Sequence, residues 1–299
     1  MSSAPLPHNA DDVVKRLLTE RLVALEQTLQ EDVIVYRGPI AYGVDDFLRD
    51  AIEQLTPKLP RIAMVLQTDG GYVEVVERIV RLLRHHYQYV SFIVPNYAFS
   101  AGTVLVMSGD VIRMDYYSLL GPIDPQIQLK TGHWIPAIGY LEKYDELIAK
   151  SSQGQLTSAE LTFLVEKFDP AELFRYDQER ELSKALLKEW LVNYKFKDWG
   201  PMTETRKIPV TPELKVQRAE EIAGQLNDPT VWHSHGRGIS MQVLIDKLNL
   251  KIDDFGNDQR VNDAIKAYER LLGDYLGVRH HNLVVHTRGT YRAMEIEED

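Results

Sequence analysis

The stretch from Arg61 to Met114 constrains the chain more than any other. Arg61–Gln67 reads as a buried strand centred on Ile62 to Leu66, and Thr68, Asp69, Gly70 and Gly71 form the turn that ends it. Val73–His85 then spaces Val73, Val76, Val80 and Leu83 at helical intervals. Tyr89–Val94 is a second strand, residues 96–100 a loop, Ala101–Ser108 a second helix and Val111–Met114 a third strand. Strands alternating with helices predict parallel β/α units, because parallel neighbours need a crossover that returns the chain to the same sheet edge. The turn after each strand then lies on the carboxyl edge, where open α/β sheets bind ligands.

Two of these turns carry candidate chemistry. Gly70 and Gly71 end a strand and open a helix, which leaves bare N–H groups at a helix N-terminus and lets a ligand approach the backbone. That suits an oxyanion hole or anion cradle, and it also suits an ordinary tight turn. Ser100 stands between a loop and the small, apolar helix that follows, where the helix dipole favours negative charge on its oxygen. A serine N-cap accounts for the same residue. Taken together, a hydroxyl on one turn and backbone donors on the neighbouring turn, about 30 residues apart, form an acyl-transfer arrangement.

Elsewhere the pattern differs. Residues 1–10 read as a loose tail, Asp11–Gln30 as a helix, Val33–Tyr36 as a strand and Val44–Leu55 as a helix. Beyond Gln126 strand signals thin out. Helices are expected over Trp134–Lys150, Ser158–Lys167, Pro170–Tyr194, Ile239–Leu250 and Val210–Leu226, the last opening on Thr211 as cap and Pro212 in the first turn. Asp258–Leu276 is amphipathic and stops at Gly277, and Asn282–Glu295 alternates like a terminal hairpin or edge strand. The expected organisation is an N-terminal tail and helix (1–32), a main domain (33–255) with a helical insertion at about 134–226, and a C-terminal extension (256–299).

Composition removes several function classes. The 299 residues include no cysteine, which excludes disulfides, a thiol nucleophile and cysteine-held metals. Lys and Arg number 34 against 44 Asp and Glu, a net charge of −10 that disfavours a broad nucleic-acid footprint. No run approaches the ~18 apolar residues of a membrane span, and the N-terminus lacks a leader's basic and apolar segments. The expectation is a cytoplasmic protein. His280, His281 and His286 lack a carboxylate at metal-ligand spacing and read as surface histidines.

The ordered set Leu66 to Gly71, Ser100 to Thr103 and Leu120 to Gln126 (Leu-Gly-Pro-Ile-Asp-Pro-Gln) resembles the ClpP/crotonase-fold serine peptidases. Within them it is most similar to the serine dehydrogenase proteinase group, related to signal peptide peptidase A. His235 to Ile239, followed by Leu248-Asn249-Leu250, resembles that group's later His-x-x-x-Ile and Leu-x-Leu elements. The likeness runs over residues 33–255. It implies an α/β fold of repeated β-β-α units with helical additions, a homo-oligomer, peptide or protein substrates, and no cofactor or metal. Residue by residue it implies Ser100 as nucleophile, with the N–H of Ala101 and of Gly70 or Gly71 as oxyanion hole. Asp69 departs from the family, which has proline there, and sets a carboxylate beside the hole.

The resemblance also bears on the base. ClpP carries its histidine in an Ile-His-Gln-Pro turn soon after the serine, where this chain has Ile123 and Asp124. The region of ClpP's aspartate holds His233 and His235 here. An exchange of the two roles makes His235 the base and Asp124 its orienter, since a triad is defined by geometry and not chain order. Relatives of signal peptide peptidase A use lysine instead, and Lys143 is the candidate on a helix, among Glu142, Asp145 and Glu146. Two further readings are a catalytically silent binder of peptides or partners, and a crotonase-like acyl-CoA enzyme. The last lacks a basic cluster for the CoA phosphates.

Overall fold

A computed structural model describes residues 9–124, 126–128, 134–201, 208–232 and 237–296. The chain divides into two compact units, one of residues 1–120 with 239–299 and one of residues 121–238.

The first unit begins with α1 (Ala10–Leu29), capped by Asn9, whose Oδ1 accepts the Asp12 N–H at 2.9 Å. Then come β1 (Asp32–Arg37), α2 (Val44–Glu53), β2 (Arg61–Gln67), α3 (Val73–His86), β3 (Tyr89–Ile93), β4 (Tyr97–Ala98), α4 (Ala101–Met107), β5 (Val111–Met114) and β6 (Leu119–Leu120). After β6 the chain passes through the second unit. That unit holds β7 (Gln126–Gln128), β8 (Trp134–Pro136), α5 (Ala137–Ser152), α6 (Ser158–Lys167), α7 (Pro170–Trp190), α8 (Pro212–Leu226) and α9 (Pro229–Trp232). The first unit resumes with β9 (Ile239–Ser240), α10 (Met241–Asp246), β10 (Asp253–Asp254), α11 (Gln259–Arg279), β11 (Leu283–Thr287) and β12 (Thr290–Met294).

Seven strands form the central sheet in the order β10-β5-β3-β2-β1-β11-β12. The first five are mutually parallel; at the far side β11 runs antiparallel to β1, and β12 antiparallel to β11. Both sheet faces are covered, so β1, β2 and β3 are buried almost without a break rather than alternating. Val33, Val35, Ala63, Val65 and Ile93 face Leu18, Leu22 and Leu25 of α1 and Ile265, Leu272 and Leu276 of α11. Ile34, Met64 and Phe92 point to the other side of the sheet. Every residue of α4 is buried, as its uniformly small and apolar composition requires. Within the last segment of the chain, α11 covers the sheet and the β11–β12 hairpin extends it past β1. The hairpin turn is tied in by Arg288, whose Nη1 donates to Asp32 Oδ1 at 2.7 Å and to Glu26 Oε1 at 2.8 Å.

Four expectations need correction: the helix expected from Trp134 begins at Ala137, after the strand Trp134–Pro136. α11 does not stop at Gly277 but runs through it to a left-handed cap at His280 (φ 54). Residues 239–250 are a two-residue strand and a short helix rather than one helix. His286 is no surface residue: it is 0% exposed, with Nδ1 2.7 Å from the Tyr268 hydroxyl and Nε2 3.2 Å from Thr19 Oγ1. Its ring is locked between β11, α11 and α1.

Burial holds the His286 imidazole neutral and pushes its pKa down to about 3. A folded pKa below the unfolded value means stability that is fully present above about 6.5 and lost as pH falls towards 3. His286→Gln keeps hydrogen-bonding capacity but cannot titrate. Its cost relative to the parent, read from urea unfolding, should shrink by about 2 kcal/mol between about pH 7.5 and pH 5. An equal cost at both pH values contradicts this.

In the second unit, α8 opens as expected, with Thr211 Oγ1 accepting the Leu214 N–H at 3.2 Å and Pro212 in the first turn. α6 starts on a reciprocal capping box of Thr157 and Glu160. Leu147, Phe168 and Leu173 form a small core among α5, α6 and α7.

Candidate active site

The sheet's carboxyl edge brings the two singled-out turns together. Thr68, buried just past β2, donates its N–H to the Tyr97 carbonyl at 3.2 Å, and its own carbonyl accepts the Phe99 N–H at 2.9 Å. This bridge fastens the end of β2 to the segment leading into Ser100. The Thr68 hydroxyl accepts the Gly70 N–H at 3.1 Å. On its other side the Gly70–Gly71 turn is pinned by Ile40: the Ile40 N–H donates to the Gly70 carbonyl at 2.7 Å, and Tyr72 N–H to the Ile40 carbonyl at 2.8 Å.

Both glycines are obligatory for steric reasons. Gly70 has φ +111, and a β-carbon there would sit 2.8 Å from Ser100 Cβ, 2.9 Å from the Phe99 carbonyl and 3.3 Å from Ala101 N. Gly71 has φ +141, and a β-carbon would meet the Ile40 carbonyl at 2.2 Å. Gly102 serves the same end from the helix side, since a β-carbon on it would press on Thr68 Cγ2 at 2.4 Å. The run of small residues after Ser100 is thus what allows α4 to approach the end of β2.

Ser100 has φ 50 and ψ −120, a conformation that side-chain-bearing residues rarely adopt. Its carbonyl accepts the Thr103 and Val104 N–H groups at 2.9 and 3.3 Å, so its backbone opens α4, yet its side chain makes no cap hydrogen bond. A capping serine would have the reverse: relaxed extended angles and an engaged hydroxyl. Among the described residues, the N–H groups of Gly71 and Ala101 take part in no hydrogen bond, whereas that of Gly70 is taken by Thr68. Thr103 Oγ1 donates to the Ala98 carbonyl at 2.9 Å and stiffens the turn further.

Residues 33–154 match the family model of the ClpP-like SDH-type serine proteinases, a span that contains both turns. Over these residues the chain is similar to that family. Two uncharacterised proteins of Methanocaldococcus jannaschii are similar to it. One is 28% identical over 73% of this chain and 58% of its own length, and the other 30% identical over 46% and 50%. The chain thus spans little more than half the length of the curated relatives it matches. Among solved structures, a serine-to-alanine mutant of a membrane-bound stomatin-specific protease aligns at 13% identity and a TM-score of 0.44, covering 77% of this chain and 84% of that one. Among the described residues, no helix is long and apolar enough to cross a membrane.

The other residues expected from the ClpP-like pattern are placed differently. Asp124, 2% exposed, belongs to the second unit, where the neighbouring Ile123 N–H donates to the Leu226 carbonyl at 3.0 Å. His235 lies outside the described residues and beyond the span matching the family model. Lys143 is 46% exposed on α5, with Nζ 2.8 Å from Glu146 Oε2. It is a solvated, ion-paired lysine, not the desolvated amine that a lysine base requires. Asp69 is exposed, and its Oδ2 accepts the Tyr97 hydroxyl at 3.4 Å. Thr68 is the residue that sequence reading missed: a threonine at a strand end carries no signal until the turn it organises is seen.

Proposed function

We propose that the chain is a serine peptidase in which Ser100 attacks the carbonyl carbon of a peptide bond. The observation that carries this reading is the backbone of Ser100, held at φ 50 against Gly70 with its hydroxyl kept out of the cap. Strain of this kind costs about 1–3 kcal/mol and persists where surrounding structure enforces it for function. In the proposed reaction the base takes the Ser100 proton as its Oγ bonds to carbon. The carbonyl oxygen becomes an oxyanion held by the N–H groups of Gly71 and Ala101, the amine leaves with the proton, and water hydrolyses the acyl-enzyme. Gly70 then serves by its lack of a side chain rather than as a donor, because its N–H is spent on Thr68. His235 is proposed as the base and Asp124 as its orienter, and the active form as a homo-oligomer acting on peptide or protein substrates. These assignments rest on the family pattern.

Asp69 favours a second reading, a silent peptide binder, because a carboxylate next to the donors opposes a developing oxyanion. A fluorophosphonate probe, which labels a base-activated serine beside an oxyanion hole, separates the two. Intact protein should gain one adduct, mapped by mass spectrometry to Ser100. Protein that stays unmodified while folded supports the binder and overturns the peptidase.

A further inference from the structure

A half-open cavity of about 240 Å³ lies at the carboxyl edge of the sheet in the first unit. Its apolar wall is Pro95 after β3, Phe255 after β10 and Ile265 of α11. Its polar wall is Lys266, Glu269 and Arg270, on adjoining turns of the same helix. Asp115 also borders it, but its Oδ1 is committed to the following turn, accepting the N–H groups of Tyr117 and Ser118 at 2.9 and 3.1 Å.

The polar wall carries two cations and one carboxyl on one helix face. Lys266 and Arg270 form no ion pair among the described residues, although most exposed cations of α5, α7 and α8 do. Between them Glu269 is half-buried and accepts no hydrogen bond among the described residues. Burial raises its carboxyl to about 7, while Arg37 at the end of β1 pulls the other way. A half-buried carboxyl that accepts no hydrogen bond among the described residues thus lies on one helix with two cations that make no ion pair among them. A bound anion would pair with these cations, and Glu269 in its protonated form would donate to it.

We propose that this cavity binds a small carboxylic acid with an apolar body, its carboxylate between Lys266 and Arg270 and its body against Pro95, Phe255 and Ile265. The size admits an acid of a few carbons beyond its headgroup, and the apolar wall gives a bare inorganic anion nothing to cover. The site is distinct from the Ser100 turn and does not depend on the peptidase reading.

The test is calorimetry on the full chain with 4-methylpentanoate, N-acetyl-L-leucine and the corresponding amides. At least one acid should bind at millimolar concentration, and its amide, lacking the charge, at least about tenfold more weakly. Tighter binding of the simple acid points to a free metabolite, and tighter binding of the acetyl amino acid to a peptide C-terminus. Lys266→Gln combined with Arg270→Gln, both on the exposed side of α11, should weaken the acid by at least about tenfold. The proposal is overturned if neither acid binds up to about 10 mM. It is equally overturned if acid and amide bind alike, or if the double variant binds as the parent does.

Discussion

Ser100→Ala and Ser100→Gly should both lose fluorophosphonate labelling and peptide turnover, by about six orders of magnitude if Ser100 is the nucleophile. The two variants should then part company in stability. At an ordinary position alanine is the more stable by about 0.5–1 kcal/mol, because glycine loses more backbone freedom on folding. At φ 50 and ψ −120 the order reverses, since alanine keeps the β-carbon that strains this turn and glycine removes it. Ser100→Gly should therefore unfold at higher urea concentration than Ser100→Ala, by about 1 kcal/mol. No cap hydrogen bond is lost in either, because the hydroxyl makes none. A residual adduct in Ser100→Ala would assign the nucleophile elsewhere. A less stable glycine variant would show that the turn stores no strain.

His235→Ala is the second large effect. A serine hydroxyl is a weak nucleophile until a base takes its proton, and removing a triad member slows acylation by about 10⁴-fold or more. Lys143→Ala should leave the acylation rate within about twofold, because its ammonium is solvated and ion-paired to Glu146 at 2.8 Å. Time-resolved labelling with the same probe measures both. Reversal of the two results would exchange a histidine base for a lysine, and leave Ser100 and its donors unaffected. Asp124→Asn provides a further check on the orienting role: it should slow acylation with less effect than His235→Ala.

Much of this architecture is legible in the sequence because its information is local. The β2–α3–β3 and α4–β5 units show their periods directly, and Thr211-Pro212 announces a helix start that the structure reproduces in both its cap and its first turn. What was not legible is non-local. The two-residue strands β4, β6 and β9 have too few residues to show any period, and only their pairing defines them. His286 looks polar and terminal, yet it is buried because α1, some 270 residues earlier, packs over it and supplies Thr19. The distinction between a capping and a strained Ser100 depends on a backbone angle that residue types do not encode. Even so, Gly70, Gly71 and Gly102 foretell it, since each occupies a point where another residue's backbone or methyl group leaves no room.

The antiparallel seam between β1 and β11 has a consequence for the order of synthesis. β1 leaves the ribosome early and finds β2 within some 30 residues, but β11 follows about 250 residues later. Throughout that interval the nascent chain carries a six-residue strand with one row of N–H and carbonyl groups exposed, the condition that invites pairing with another chain. α11 arrives equally late, so Val33, Val35, Ala63 and Val65 stay half-covered until translation is nearly complete. The Ser100 turn and the strands beneath it are therefore translated in the first two fifths of the chain, while the helix and hairpin that complete the sheet's cover come from the last seventh. A stalled or truncated polypeptide would contain every residue of that turn and its strands but leave one edge of β1 and one sheet face uncovered.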